Sequence, residues 1–137
     1  MQWIRKQGHN PNDPLGSGPA TDHTTGTRDG YYLYLLAINI TANGNSARAT
    51  SGFVRRHPGA PQCLTFFYHM FGVHTHSLAL FQQFVTLPEL GVVAAREKRL
   101  WLRARQVGNE WKQAQVTVYG DEDYTVLLLE KLQFCNV

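Results

Sequence analysis

Several groups of residues in this 137-residue chain have types and spacings that invite chemistry. His74 and His76 in GVHTHS stand two apart, so on an extended segment both imidazoles point the same way, with His69 nearby. Such a pair can begin a zinc site, but no cysteine or carboxylate follows at ligand spacing, and polar turn residues are the better reading. Asp121, Glu122 and Asp123 offer hard oxygen ligands, yet the full calcium-loop pattern is missing and a solvated turn fits better. Ser17, Asp22 and His23 supply the residue types of a hydrolytic triad without a nucleophile-elbow motif or an oxyanion-hole glycine arrangement. We therefore expect no catalysis, no cofactor and no metal site.

What remains is binding chemistry. Arg96, Lys98, Arg99, Arg103 and Arg105 form a basic stretch able to contact sulfated glycan or acidic lipid. The plainer reading is a solvated face whose arginine stems cover apolar surface. Trp101 and Trp111 could stack on a sugar, although core or edge packing competes. Asn39-Ile40-Thr41 is an N-glycosylation acceptor sequence if the chain enters the secretory path, provided Asn39 points outward. Cys63 and Cys135 are too few for a disulfide framework and form no CxxC pattern.

Composition narrows the class. Hydrophobic residues make up 43% and charged residues 17%, which is globular, and the length suits one domain over residues 1–137. A formal charge of +3 does not imply nucleic acid. No apolar run reaches the ~20 residues needed to span a bilayer. The start, MQWIRKQGHNPND, has no signal-peptide core, so a secreted parent would be longer than this chain.

The elements that must position these residues read as strands. Trp3 and Ile4 suggest a short one, and residues 8–30, dense in Gly, Pro, Asn, Asp and Thr, a long surface loop. YYLYLLAINIT reads as a strand, followed by an NGN turn. SARATSGFV is a weaker strand, and RRHPGAPQ a loop broken by Pro58 and Pro61. CLTFFYHMFG alternates with Leu64, Phe66, Tyr68 and Met70 on one face and Phe67 and His69 on the other, so both faces carry rings. SLALFQQFV starts another strand. LPELGVVAAREKRLWLRARQ is torn between helix-favouring Ala94 to Arg99 and the alternation of LWLRAR. WKQAQVTVY alternates cleanly from Trp111, which should be largely buried, and YTVLLLEKLQF closes the chain. Six to eight strands without alternating helices predict an all-β fold, a two-sheet antiparallel β-sandwich of jelly-roll type.

Several blocks in order resemble one family. They are Trp3, GPATDHTTGTRDGYYLYL, SARATS, CLTFFYHMFG, SLAL, Leu100-Trp101, GNEWKQAQVTV and YTVLLLE, from Trp3 to about Glu130. The chain is similar to a MAM domain, the extracellular module of meprins, receptor-type tyrosine phosphatases and neuropilins. The resemblance implies a jelly-roll sandwich for adhesion or protein association on a cell surface or outside the cell. The expected partner is a protein, either another copy or part of the parent; the alternative is a lectin-like or glycosaminoglycan-binding module, since jelly rolls also serve that role. The resemblance also implies that the strand after Cys63 lies deep in the sandwich and that Cys63 bridges to a cysteine closing the module. Cys135 falls well before that closing position, so the pairing is not expected for it. The family's beginning and its final strand have no match here, so the chain reads as an incomplete or variant module, and the structural cation those ends help to hold is not expected.

Overall fold

The computed structural model describes residues 2–8, 18–36, 46–72, 77–84 and 96–131. Within them the strands are β1 (Gln2–Gln7), β2 (Tyr31–Leu36), β3 (Ser46–Thr50), β4 (His57–Tyr68), β5 (Ser77–Phe84), β6 (Arg96–Ala104), β7 (Lys112–Gly120) and β8 (Tyr124–Lys131). Every pairing is antiparallel. β3, β8, β5 and β6 form a four-stranded sheet in that order, while β1 pairs with β2 and β4 with β7. The fold is the all-β sandwich expected from the strand pattern.

Alternation decides what each strand contributes. On β7, Ala114, Val118 and Gly120 are buried, while Gln113, Gln115, Thr117 and Tyr119 face solvent. On β5, Leu78, Ala79, Leu80 and Gln82 are all buried, as a central strand between β6 and β8 requires. Leu127 of β8, in register with Phe81, is 1% exposed. Burying one such leucine contributes roughly 1.5–3 kcal/mol.

Four contacts among the described residues tie the sheets together. The rings of Phe66 and Tyr68 on β4 meet Trp101 on β6 edge-on, with centroids 5.1 and 4.9 Å away. Gln82 on β5 is fully buried, and its Nε2 donates to the carbonyl of Tyr119 on β7 at 2.7 Å. Trp3 Nε1 donates to the carbonyl of Ala47 at 3.2 Å, which links β1 to β3.

Three expectations change. RRHPGAPQ is not wholly a loop, because β4 already begins at His57. The two prolines are tolerated there because the register breaks between His57 and Gln62, so neither owes an N–H to the β7 ladder. β4 itself is not a deep central strand: among the described residues it pairs with β7 alone, and Cys63, Thr65 and Phe67 are exposed on its outer face. Finally, Arg96 to Arg99 are strand. Pairing with β5 overrides their helical preference, and residues 87–95 lie outside the described residues.

Candidate interaction surfaces

The turn-rich stretch before β2 is organised by one carboxylate. Asp22 is 4% exposed, and its oxygens accept from the backbone N–H of Thr24 (2.9 Å), Thr25 (2.9 Å) and Thr27 (3.3 Å) and from the Thr25 hydroxyl. This is the local bonding that aspartate offers a turn. The Thr25 bonds lead in holding its pKa below the ordinary 3.8, against an opposing push from burial. Gly30 closes the turn, and a side chain there would land on the Asp22 carboxylate. With both oxygens engaged by threonines, Asp22 is a turn organiser and not a partner for His23. Ser17 lies outside the described residues.

The turn sets an aromatic cluster at one end of the β4–β7 pair. His23 stacks on Phe67 with centroids 3.3 Å apart, so the loop gives the outer-face ring a neighbour although it stays exposed. Trp111, just before β7, donates Nε1–H to the carbonyl of Thr21 at 3.0 Å and meets Tyr32 edge-on at 5.9 Å. Trp111 is half-buried, less than its strand pattern predicts, because it stands at the sandwich rim between loop and sheet. His69 lies edge-on to Trp111 at 5.7 Å and donates Nε2–H to Asn109 Oδ1 at 3.0 Å. Burial lowers the His69 pKa from its ordinary 6.5, and the Asn109 bond partly opposes this. His74 and His76 lie outside the described residues, within which no three metal-ligating side chains cluster.

The acidic turn after β7 is held by protein cations. Asp123 accepts from the Arg56 backbone N–H at 2.6 Å and lies 3.7 Å from the Arg55 guanidinium, and Glu122 pairs with Arg96.

The basic stretch falls on β6, with Arg105 just beyond it. Arg96, Lys98, Arg99, Arg103 and Arg105 are all exposed. Trp101 pairs with Leu80 and Arg99 with Phe81, which makes Leu100 the extra residue of a bulge. The slip puts Lys98, opposite Gln82, and Arg103, opposite Leu78, on the face that carries Trp101, and Arg99 on the other. Arg96 also lies over the Phe84 ring at 4.5 Å, and Lys98 is 5.8 Å from the Tyr119 ring. Trp101 is a packing residue, in contact with Phe66 and Tyr68, and not an open platform for a sugar.

Cys63 is a free, exposed thiol that accepts from Gln115 Nε2 at 2.7 Å. Cys135 and the acceptor Asn39 lie outside the described residues.

The sequence pattern passed over a further surface. On the β1–β2 pair, Tyr31 and Leu33 are 52% and 57% exposed, in register with Gln7 and Arg5 respectively. The Arg5 guanidinium lies over the Tyr31 ring at 3.8 Å from its centroid. Tyr32, between them, is buried and donates its hydroxyl to the carbonyls of Gly8 and Pro19 at 2.9 and 3.1 Å. The available signal was that YYLYLL is apolar at both parities, so one face of an exposed two-stranded pair had to show apolar groups to solvent.

Comparisons with known proteins agree with this architecture. The model of the MAM domain, meprin/A5/mu, matches residues 1–133. Thyroid hormone-induced protein B of Xenopus laevis is 33% identical over 125 residues, covering 91% of this chain and 16% of that protein. MAM domain-containing glycosylphosphatidylinositol anchor protein 1 of Gallus gallus is 32% identical over 86% of the chain and 12% of its own length. MAM domain-containing protein 2 of Mus musculus is 36% identical over 83% of the chain and 15% of its own length. The chain thus spans under a fifth of the length of each of these relatives.

Proposed function

Because the chain belongs to the MAM family, we propose that it is a non-catalytic module of a larger extracellular or cell-surface protein and associates with protein. The observation that carries this reading is the outward face of β1 and β2. Tyr31, Leu33 and Arg5 stand together there, solvent-exposed, on the two-stranded pair. Tyrosine and arginine are the residue types that dominate binding energy at interfaces, and an aliphatic neighbour supplies apolar area.

The patch is also self-complementary. It holds both a cation and an aromatic face, so a second copy turned by a two-fold axis can set its Arg5 against the first copy's Tyr31 and the reverse. A second copy is accordingly the partner to test first. A cell-surface setting is supported by the relatives, one of which, that of Gallus gallus, carries a glycosylphosphatidylinositol anchor in its name. Among the described residues no helix is long and apolar enough to cross a membrane.

Bead aggregation tests the reading. Beads coated with the protein should aggregate, and the double variant Tyr31→Asp, Leu33→Asp should abolish aggregation while keeping the thermal midpoint. Aggregation unchanged in that variant, or no aggregation by the wild type, would remove the β1–β2 face as the homophilic surface.

A further inference from the structure

We propose that the open edge of β6 is a binding site for a linear sulfated polysaccharide, on a surface separate from the β1–β2 face. Among the described residues β6 is hydrogen-bonded on one side only, by β5, so its other edge is free. That edge carries Lys98, Arg99 and Arg103, and Arg105 follows directly. Among the described residues the acids beside it are already engaged, Glu97 by Arg48 at 3.3 Å and by Gln83 Nε2 at 3.2 Å, and Glu122 by Arg96. Arg99, Arg103 and Arg105 have no ion-pair or ring partner among the described residues, so their guanidinium forks stand unspent.

The shape of the array selects the ligand. From Lys98 to Arg103 the strand spans four steps of its partner, Gln82 to Leu78, or roughly 13 Å at ~3.3 Å per residue, and Arg105 extends the array beyond the strand end. The bulge at Leu100 sends Arg99 to one face and Lys98 and Arg103 to the other. The cations therefore line both sides of one edge, as a groove-less rail that a linear polyanion can straddle. A membrane surface could meet only one side of that rail. Arginine predominates, and its planar fork holds two oxygens of a sulfate group at once, which a lysine ammonium does not. Arg105 has φ 68°, a left-handed conformation uncommon for a residue other than glycine, and it turns the chain away at the end of the rail. The same cations discourage strand addition at the edge, so the charge that blunts self-pairing is the charge that offers a sulfate site.

The test is retention of the full chain on immobilised heparin, with Kd measured against salt. The wild type should elute well above physiological salt. Arg99→Glu with Arg103→Glu should weaken heparin binding roughly tenfold or more, the effect of losing two modest charge contacts. Arg28→Glu with Arg56→Glu, the same charge change placed elsewhere, should leave it within about twofold. Each variant is first matched to the wild type in thermal midpoint, and Arg99→Gln with Arg103→Gln replaces any that fails to fold. Equal losses in the two double variants would mean that net charge alone is responsible and would overturn the site. So would elution at or below physiological salt. Binding to polyglutamate or to phosphatidylserine vesicles as tight as to heparin would overturn the assignment to a sulfated glycan.

Discussion

Asp22 and His69 make the residue-scale chemistry of this module pH-dependent in two separate windows. Burial lowers the His69 pKa below 6.5, so the folded state binds that proton less readily than the unfolded chain. Its stability contribution is complete above pH 6.5 and is lost as pH falls from there through the lowered folded value. The Asp22 pKa is also lowered, chiefly by the Thr25 hydroxyl, and its contribution disappears only below pH 3.8, as the carboxylate protonates. Denaturant midpoints followed down in pH should fall in two steps, and His69→Gln should flatten only the upper one. A single step near the carboxylate range in the wild type would exclude the His69 effect. Trp111 is half-buried and makes one hydrogen bond to Thr21. Trp111→Ala should therefore cost about 2–3 kcal/mol, below the ~3–5 kcal/mol of a fully buried large aromatic. Trp111→Phe should cost only about 1 kcal/mol, the worth of the lost bond. Chemical denaturation measures both, and a loss above 4 kcal/mol for the alanine variant would mean that the ring is part of the core. The Asp22 turn was legible as DHTTG but not as a hub. Its meaning depends on three N–H groups that converge only once the chain has turned, and on Gly30 leaving room for the carboxylate.

At the scale of elements, the strands were readable wherever one face is buried and the other wet. β7 alternates as its residues demand, and β8 and β5 show the apolar runs of inner strands. The reading failed where a local preference competed with pairing. Pro58 and Pro61 signalled a loop, yet the irregular register between His57 and Gln62 lets β4 run through them. Arg96 to Arg99 favoured helix until the ladder to β5 claimed them. No sequence period announces a bulge such as that at Leu100, because it depends on the partner strand. Gln82 is the clearest element-scale device. It ties β5 to β7 through the Tyr119 carbonyl, and its own Oε1 has no hydrogen-bond partner among the described residues. Gln82→Met should be tolerated within about 1.5 kcal/mol, since it removes an unpaired acceptor along with one bond. Gln82→Glu should cost roughly 3 kcal/mol or more, because a buried carboxylate cannot donate to that carbonyl and must be desolvated or protonated. Urea melts of the two variants decide the matter, and equal midpoints would show that the amide is not the tie between the sheets.

As a whole molecule, the chain displays a sandwich whose interior contacts are complete enough to hold two outward surfaces of different character. The β1–β2 face is aromatic and aliphatic with one cation, and the β6 edge is cationic. The family was legible in the ordered blocks around Asp22, Cys63 and Trp111, since those residues build the turn and the β4–β7 pair that give the module its shape. The β1–β2 surface was not, because outward and inward residues of YYLYLL look alike until Tyr32 meets Trp111 and the carbonyls of Gly8 and Pro19. The central claim is that this face joins one copy to another. The most direct measurement is amide hydrogen exchange of the full chain at low and at high protein concentration. Protection should rise with concentration in β1 and β2, around Arg5, Tyr31 and Leu33, and Tyr31→Asp with Leu33→Asp should remove the rise. Protection that is independent of concentration, or that rises along β6 or the outer face of β4 instead, would contradict it.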